Sequence, residues 1–203
     1  MEITVKDLGK KFNHNWIFRH INTIFESKGK YAITGNNGSG KTTLLKILAG
    51  ITPLTEGEVI YRQNSKVLDT ASFIKHLTLA GPYTELIEEF TLEELYFFYG
   101  KFKKLSVNFE ELLKLTNFKN VKSLQIKNFS SGMKQKLKLS LAFFTETDLI
   151  LLDEPTSNLD KDNINWYLEV IEKATSDKTL IICSNQEYEY NFCQNVINVN
   201  MYK

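Results

Sequence analysis

The chain has 203 residues, 25 lysines and arginines against 24 aspartates and glutamates, and a formal net charge of +1. An apolar share of 42% with 24% charged residues excludes a disordered chain, and the length suits one folded unit of its own. Near-neutral charge supplies no basic excess for a phosphate backbone, so no nucleic acid partner is expected.

In chain order, Ile3-Thr4-Val5 alternates as a strand does, and Trp16 to Phe25 is rich in β-branched and aromatic residues. Tyr31-Ala32-Ile33-Thr34 is a short apolar run that stops at a glycine. From Lys41 onward Leu44, Leu45, Ile47 and Leu48 have helical spacing, with Gly50 as a stop. Thr55-Glu56-Gly57 reads as a turn, and Glu58 to Arg62 as a strand after it. Residues from about 83 to 145 change to a helical pattern, with a capping box at Thr91-Leu92-Glu93-Glu94 and a helix after Ser131. Strands return at Leu149–Leu152 and Thr179–Cys183, with an amphipathic helix near Ile164–Ala174 between them. Strand–helix–strand alternation at both ends predicts an α/β fold with a mostly parallel sheet, an N-terminal antiparallel β part and a helical insert.

Some features are bland. No apolar run approaches the roughly 20 residues of a membrane helix. Met1-Glu2-Ile3-Thr4 has no basic start ahead of an apolar block, so no secretory signal is expected. Cys183 and Cys193 read as buried thiols of a reducing compartment, and His14, His20 and His76 lack metal-ligand spacing. Lys134, Lys136 and Lys138 read as solvated lysines. Tyr96-Phe97-Phe98-Tyr99 is aromatic on every side of a helical turn, so one face is core and the other is free for a partner. The acids Glu85, Glu88, Glu89, Glu93 and Glu94 nearby form a solvated face.

Two motifs carry chemistry. Gly35-Asn36-Asn37-Gly38-Ser39-Gly40-Lys41-Thr42 matches G-x-x-x-x-G-K-[ST], with Thr43 next. Glycines let the backbone curl its N–H groups toward phosphate oxygens, and the following helix turns its positive end to the same anion. Lys41 neutralises phosphate oxygens, and the Thr42 hydroxyl suits Mg²⁺. The expected ligands are therefore a nucleoside triphosphate and Mg²⁺. Leu149-Ile150-Leu151-Leu152-Asp153-Glu154 is an apolar strand that delivers two acids at its C-terminal edge, where open α/β sheets bind ligands. Asp153 can hold the metal, and Glu154 can orient an attacking water.

These residues together resemble the ATP-binding cassette of ABC transporters over nearly the whole chain, as a single P-loop NTPase cassette over 1–203 with a helical sub-domain at about 83–145. The resemblance implies several roles. Phe12 is similar to the aromatic residue that stacks on adenine, with Trp16 as a weaker candidate. Pro155 follows the acids, and Ser157-Asn158-Leu159-Asp160 looks like the D-loop that crosses a dimer interface. Ser130, Ser131, Gly132 and Met133 stand at the signature that caps the γ-phosphate from a second cassette, in a homo- or heterodimer. A membrane permease subunit is the other implied partner, with the chain cytoplasmic and peripheral on the inner face of the membrane. A small cassette without an added domain is also similar in size to the ATP-binding subunits of heme exporters.

Three positions depart from the family pattern. The signature reads Ser-Ser-Gly-Met in place of Ser-Gly-Gly-Gln. Asn185 stands at the switch histidine. The Q-loop glutamine is missing from Gly81-Pro82-Tyr83-Thr84-Glu85, where Thr84 and Glu85 are the nearest polar substitutes. With Glu154 retained, the expected activity is ATP hydrolysis that powers a transporter, with Glu154 and Asn185 catalytic. A weakly hydrolysing binding module paired with a more active cassette is one alternative, and a soluble cassette ATPase outside transport is a second.

Overall fold

The computed structural model describes all 203 residues. The elements run β1 (Glu2–Phe12), β2 (Asn15–Phe25), β3 (Lys30–Thr34), α1 (Lys41–Leu48), β4 (Glu56–Gln63), β5 (Lys66–Val67), α2 (Thr70–Lys75) and β6 (Leu77–Ala80). They continue with α3 (Leu92–Gly100), α4 (Phe109–Thr116), α5 (Ser131–Phe143), β7 (Leu149–Asp153), α6 (Lys161–Ala174), β8 (Thr179–Cys183) and β9 (Asn195–Asn198). The chain forms two compact units, one from Met1–Leu79, Thr147–Glu154 and Thr175–Lys203, the other from Ala80–Glu146 and Pro155–Ala174.

The first unit holds both sheets. One is four-stranded, β2-β1-β4-β5, with antiparallel pairing throughout; the other is five-stranded, β6-β7-β8-β3-β9, and β8 pairs in parallel with both β7 and β3. Every residue of β7 and β8 is buried, which is why these strands read as continuous apolar runs rather than as alternation. Phe18, Phe25, Ile33, Leu44, Leu149 and Ile181 share one core. Burying each such side chain stabilises the fold by about 1.5–3 kcal/mol.

The turn expected at Thr55-Glu56-Gly57 is not a turn: Glu56 and Gly57 already belong to β4. Gly57 sits at φ +88°, opposite a register shift between Lys6 and Gly9 of β1. A Cβ there would lie 2.3 Å from the Asp7 carbonyl oxygen, so the glycine marks a bulge. Cys193 also differs from expectation. It is half-buried, while Cys183 is fully buried.

The second unit is helical. Thr91 and Asn108 start α3 and α4 with capping boxes, closed by Glu94 and Glu111. Leu92, Leu113, Ile126, Leu137 and Leu141 form its core. Tyr167 and Ile171 of α6 are buried, and the Tyr167 ring stands 6.2 Å from that of Phe143 on α5. In the aromatic turn, Tyr96 and Tyr99 anchor inward through hydroxyl bonds at the Val107 carbonyl and Thr145, whereas Phe97 is 56% exposed and Phe102 beyond it 72%.

The three lysines after Ser131 are not all solvated. Lys136 is buried: its ammonium donates to Asn163 Oδ1 at 2.8 Å and lies over the Trp166 ring, and burial lowers its pKa. Its stem lies on the inner face of α5 and its charge is satisfied locally. Lys134 pairs with Glu88 at 2.6 Å, so that acid is not simply solvated either. Lys138 is half-buried, near the Gly81 carbonyl. No helix is long and apolar enough to cross a membrane.

Candidate functional site

The core strand β3 delivers Gly35 at its C-terminal end, and the loop from Gly35 to Gly40 enters α1. Gly40 precedes that helix at φ +107°, in the left-handed region, and packs so closely on β2 that a Cβ would lie 2.4 Å from Ile17 Cγ2. Ser39 N donates to the Asn36 carbonyl at 3.0 Å, which tightens the curl. Lys41 folds back over the loop and donates to the carbonyls of Gly35 at 2.7 Å and Asn36 at 3.3 Å. Loop residues Asn37 to Thr43, Ile17 and Glu154 enclose a cavity of about 240 Å³. Loop amides and the start of an eight-residue helix make this cavity suited to an anion.

The two acids have distinct settings. Asp153 ends β7, is 2% exposed, and accepts from Thr42 Oγ1 at 2.6 Å through Oδ2. Burial raises its pKa, and the Thr42 bond pulls it partly back. Its Oδ1 is buried without a hydrogen-bond partner. A hydroxyl and a carboxylate side by side, one oxygen unsatisfied, are hard ligands that fit Mg²⁺. Glu154 is exposed on the cavity wall at φ +46°, its N–H held by the Cys183 carbonyl at 2.8 Å. A non-glycine residue in that region costs about 1–3 kcal/mol. The turn aims the Glu154 side chain where simple strand alternation would not.

Asn185, just past β8, is exposed and donates its amide to Asn37 Oδ1 at 3.0 Å. The first unit therefore gathers Gly35 to Thr43, Asp153, Glu154 and Asn185. Phe12 is 50% exposed at the end of β1, and Trp16 is 37% exposed across from Lys11. Neither lines the cavity; the Lys10 ammonium lies over the Phe12 ring, 4.8 Å from its centre. Arg19, held by Glu56 at 2.7 Å, lies 4.1 Å from the Trp16 ring. Ile17 was not singled out from the sequence; its place between two exposed residues and the buried Phe18 gave no chemical signal.

The residues expected at the signature, Ser130 to Met133, belong to the second unit. Ser130 caps α5 by accepting from Met133 N at 3.2 Å, so Ser131, Gly132 and Met133 form the first turn of a 13-residue helix. A Cβ on Gly132 would meet the Asn158 carbonyl at 2.9 Å, which explains a glycine beside the segment Ser157–Asp160. Thr84, the nearest polar substitute in the Q-loop stretch, spends its hydroxyl on the Gly81 carbonyl at 2.7 Å.

A glycine loop leading into a helix, with a carboxylate strand beside it and a capped serine helix, defines a P-loop nucleotide-binding cassette. The ABC transporter family model matches residues 18–157, and the chain belongs to that family. It is 29% identical over 98% of its length to the uncharacterized ABC transporter ATP-binding protein YybJ of Bacillus subtilis, of which it spans 92%. It is also 29% identical over 90% of its length to the human phospholipid-transporting ATPase ABCA7, but spans 9% of that protein. Its fold matches that of MJ0796, a dimeric bacterial ABC transporter cassette, with a TM-score of 0.79 at 21% identity over 97% of this chain and 93% of that one.

Proposed function

We propose that this chain is the ATP-hydrolysing subunit of a membrane transporter, acting as one of two cassettes that close over nucleotide. The observation that carries the reading is the Thr42–Asp153 bond beside the loop cavity, with Glu154 on its wall. Loop amides and the start of α1 would bind the phosphates, and Lys41 would leave its carbonyls for their oxygens. Phe12 would stack on the adenine. Mg²⁺, held by Thr42 and Asp153, would supply neutralisation of phosphate charge. Glu154 would accept a hydrogen bond from the attacking water and so orient it, while Asn185 donates an N–H to the γ-phosphate. From a second cassette, Ser130 and the amides of Ser131, Gly132 and Met133 would cap the same phosphate.

The name of YybJ and the dimeric form of the solved cassette support a transporter subunit and a cassette pair. The exposed face of Phe97, Phe98 and Phe102 supports docking to a permease, which would place the chain on the inner face of a membrane. A second reading, an ATP-holding module with little turnover, is favoured by the Asn185–Asn37 bond, which engages a short side chain that cannot take a proton.

Phosphate release from Mg-ATP, measured on the wild type and on Glu154→Gln, tests the reading. Release should fall by at least about 10²-fold in the variant. The variant with Mg-ATP should elute as a dimer on size exclusion. ATP bound without release in the wild type would favour the second reading. A chain that binds no ATP would overturn both.

A further inference from the structure

Three oxygens close to the phosphate loop are buried without a hydrogen-bond partner: Asp153 Oδ1, Ser39 Oγ and Asn200 Oδ1. A cation held by Thr42 and Asp153 would account for the first. The other two are left over, and they are complementary, because a hydroxyl can donate and an amide oxygen accepts. Both flank the same point. A Cβ added to Gly35 would stand 2.7 Å from Ser39 Oγ and 3.5 Å from Asn200 Oδ1.

Asn200 is held firmly for an unpaired group. It lies in the 3₁₀ turn Val199–Tyr202 that follows β9 and packs on β2. Val199 is fully buried, Tyr202 packs on the same core, and Asn200 N donates to Asn198 Oδ1 at 3.0 Å. The loop side is held differently: Lys41 ties down the Gly35 and Asn36 carbonyls, and Ser39 N is bound to Asn36. Those ties keep the loop in the form that leaves the two oxygens apart. Phosphate oxygens, being charged, attract the ammonium more strongly than neutral carbonyls do. Loading would then release the peptides on either side of Asn36.

We infer that Asn200 is a positioning residue of the phosphate loop: when phosphate draws Lys41 from the Gly35 and Asn36 carbonyls, the Ser39 hydroxyl donates to Asn200 Oδ1 and holds the loaded form. The absent side chain at Gly35 leaves the passage between the two oxygens open. This rests on the nucleotide-binding reading above. The consequence is that the turn after β9, outside every motif, contributes to nucleotide affinity.

A double-mutant cycle tests it. The Kd for Mg-ATP is measured for the wild type, Ser39→Ala, Asn200→Ala and the double variant, with the melting temperature of each nucleotide-free chain beside it. Each single change should weaken binding about five- to tenfold, as expected for one lost hydrogen bond, and the double variant should be no weaker than the singles. KM should rise with kcat unchanged, and the nucleotide-free melting temperatures should stay level. Losses that add in the double variant would overturn the inference. So would unchanged Kd in the singles, or a weakening matched by a fall in nucleotide-free stability. Wild-type chain that binds no Mg-ATP would overturn the nucleotide reading itself, a result distinct from failure in the variants alone.

Discussion

At Asp153, burial and function pull in opposite directions. The side chain is 2% exposed, and desolvation raises its pKa. The folded state therefore binds that proton more tightly than the unfolded chain does. The resulting stabilisation is full below the ordinary carboxylate range and is lost as pH rises through the raised value. At neutral pH the ionised group is thus a cost, which a bound cation would offset. Asp153→Asn keeps an acceptor for Thr42 and removes the charge. It should melt higher than the wild type at pH 7 without metal, by roughly 2–4 °C per kcal/mol recovered, and the gain should shrink toward about pH 4. Mg-dependent nucleotide binding should be lost in the same variant. Calorimetry at the two pH values, with and without Mg-ATP, checks both halves. The motif residues were legible because phosphate and metal chemistry demand particular side chains at short spacing. Lys136 was misread because a lysine's burial depends on what α6 brings over it, here Asn163 and Trp166.

Element boundaries followed local chemistry closely where caps were present. Thr91 and Glu94 mark the start of α3 in the sequence because the capping box closes within four residues. The strands β6 and β9 had no such signal. Asn195 and Asn198 are poor strand formers, and β9 exists because Tyr31 to Thr34 of β3 offer it a parallel partner. Close packing between segments gives one firm expectation. Gly132→Ala places a methyl group 2.9 Å from a backbone carbonyl at Asn158, so α5 or the Ser157–Asp160 segment must shift. The change should destabilise the chain by about 1–3 kcal/mol, read as a lower melting temperature, and should reduce ATP-dependent dimerisation. An alanine variant with unchanged melting temperature and unchanged dimerisation would show that the contact is relaxed at no cost.

For the whole molecule, what stays uncovered matters as much as what is packed. Phe97 and Phe102 are largely exposed although the same helical turn anchors Tyr96 and Tyr99. Large apolar rings left exposed in this way are costly to keep in water and suit a partner. If a permease docks here as proposed, replacing Phe97 and Phe102 with serine should lower its co-purification several-fold. Phosphate release by the isolated chain should remain at the wild-type rate. Loss of both together would point to misfolding, and loss of neither would remove the aromatic face from the docking account.

The sequence by itself determined the class of fold, the phosphate loop, the paired acids and the helix starts near Lys41, Thr91 and Ser131. Each of these is set by interactions between near neighbours in the chain, so spacing alone reveals them. Only the tertiary structure decided which apolar side chains stay exposed, that Lys136 is buried, that Gly57 marks a bulge and that Asn200 reaches Gly35. Those outcomes depend on contacts between residues far apart in the chain. Side-chain chemistry limits such contacts, but packing selects them.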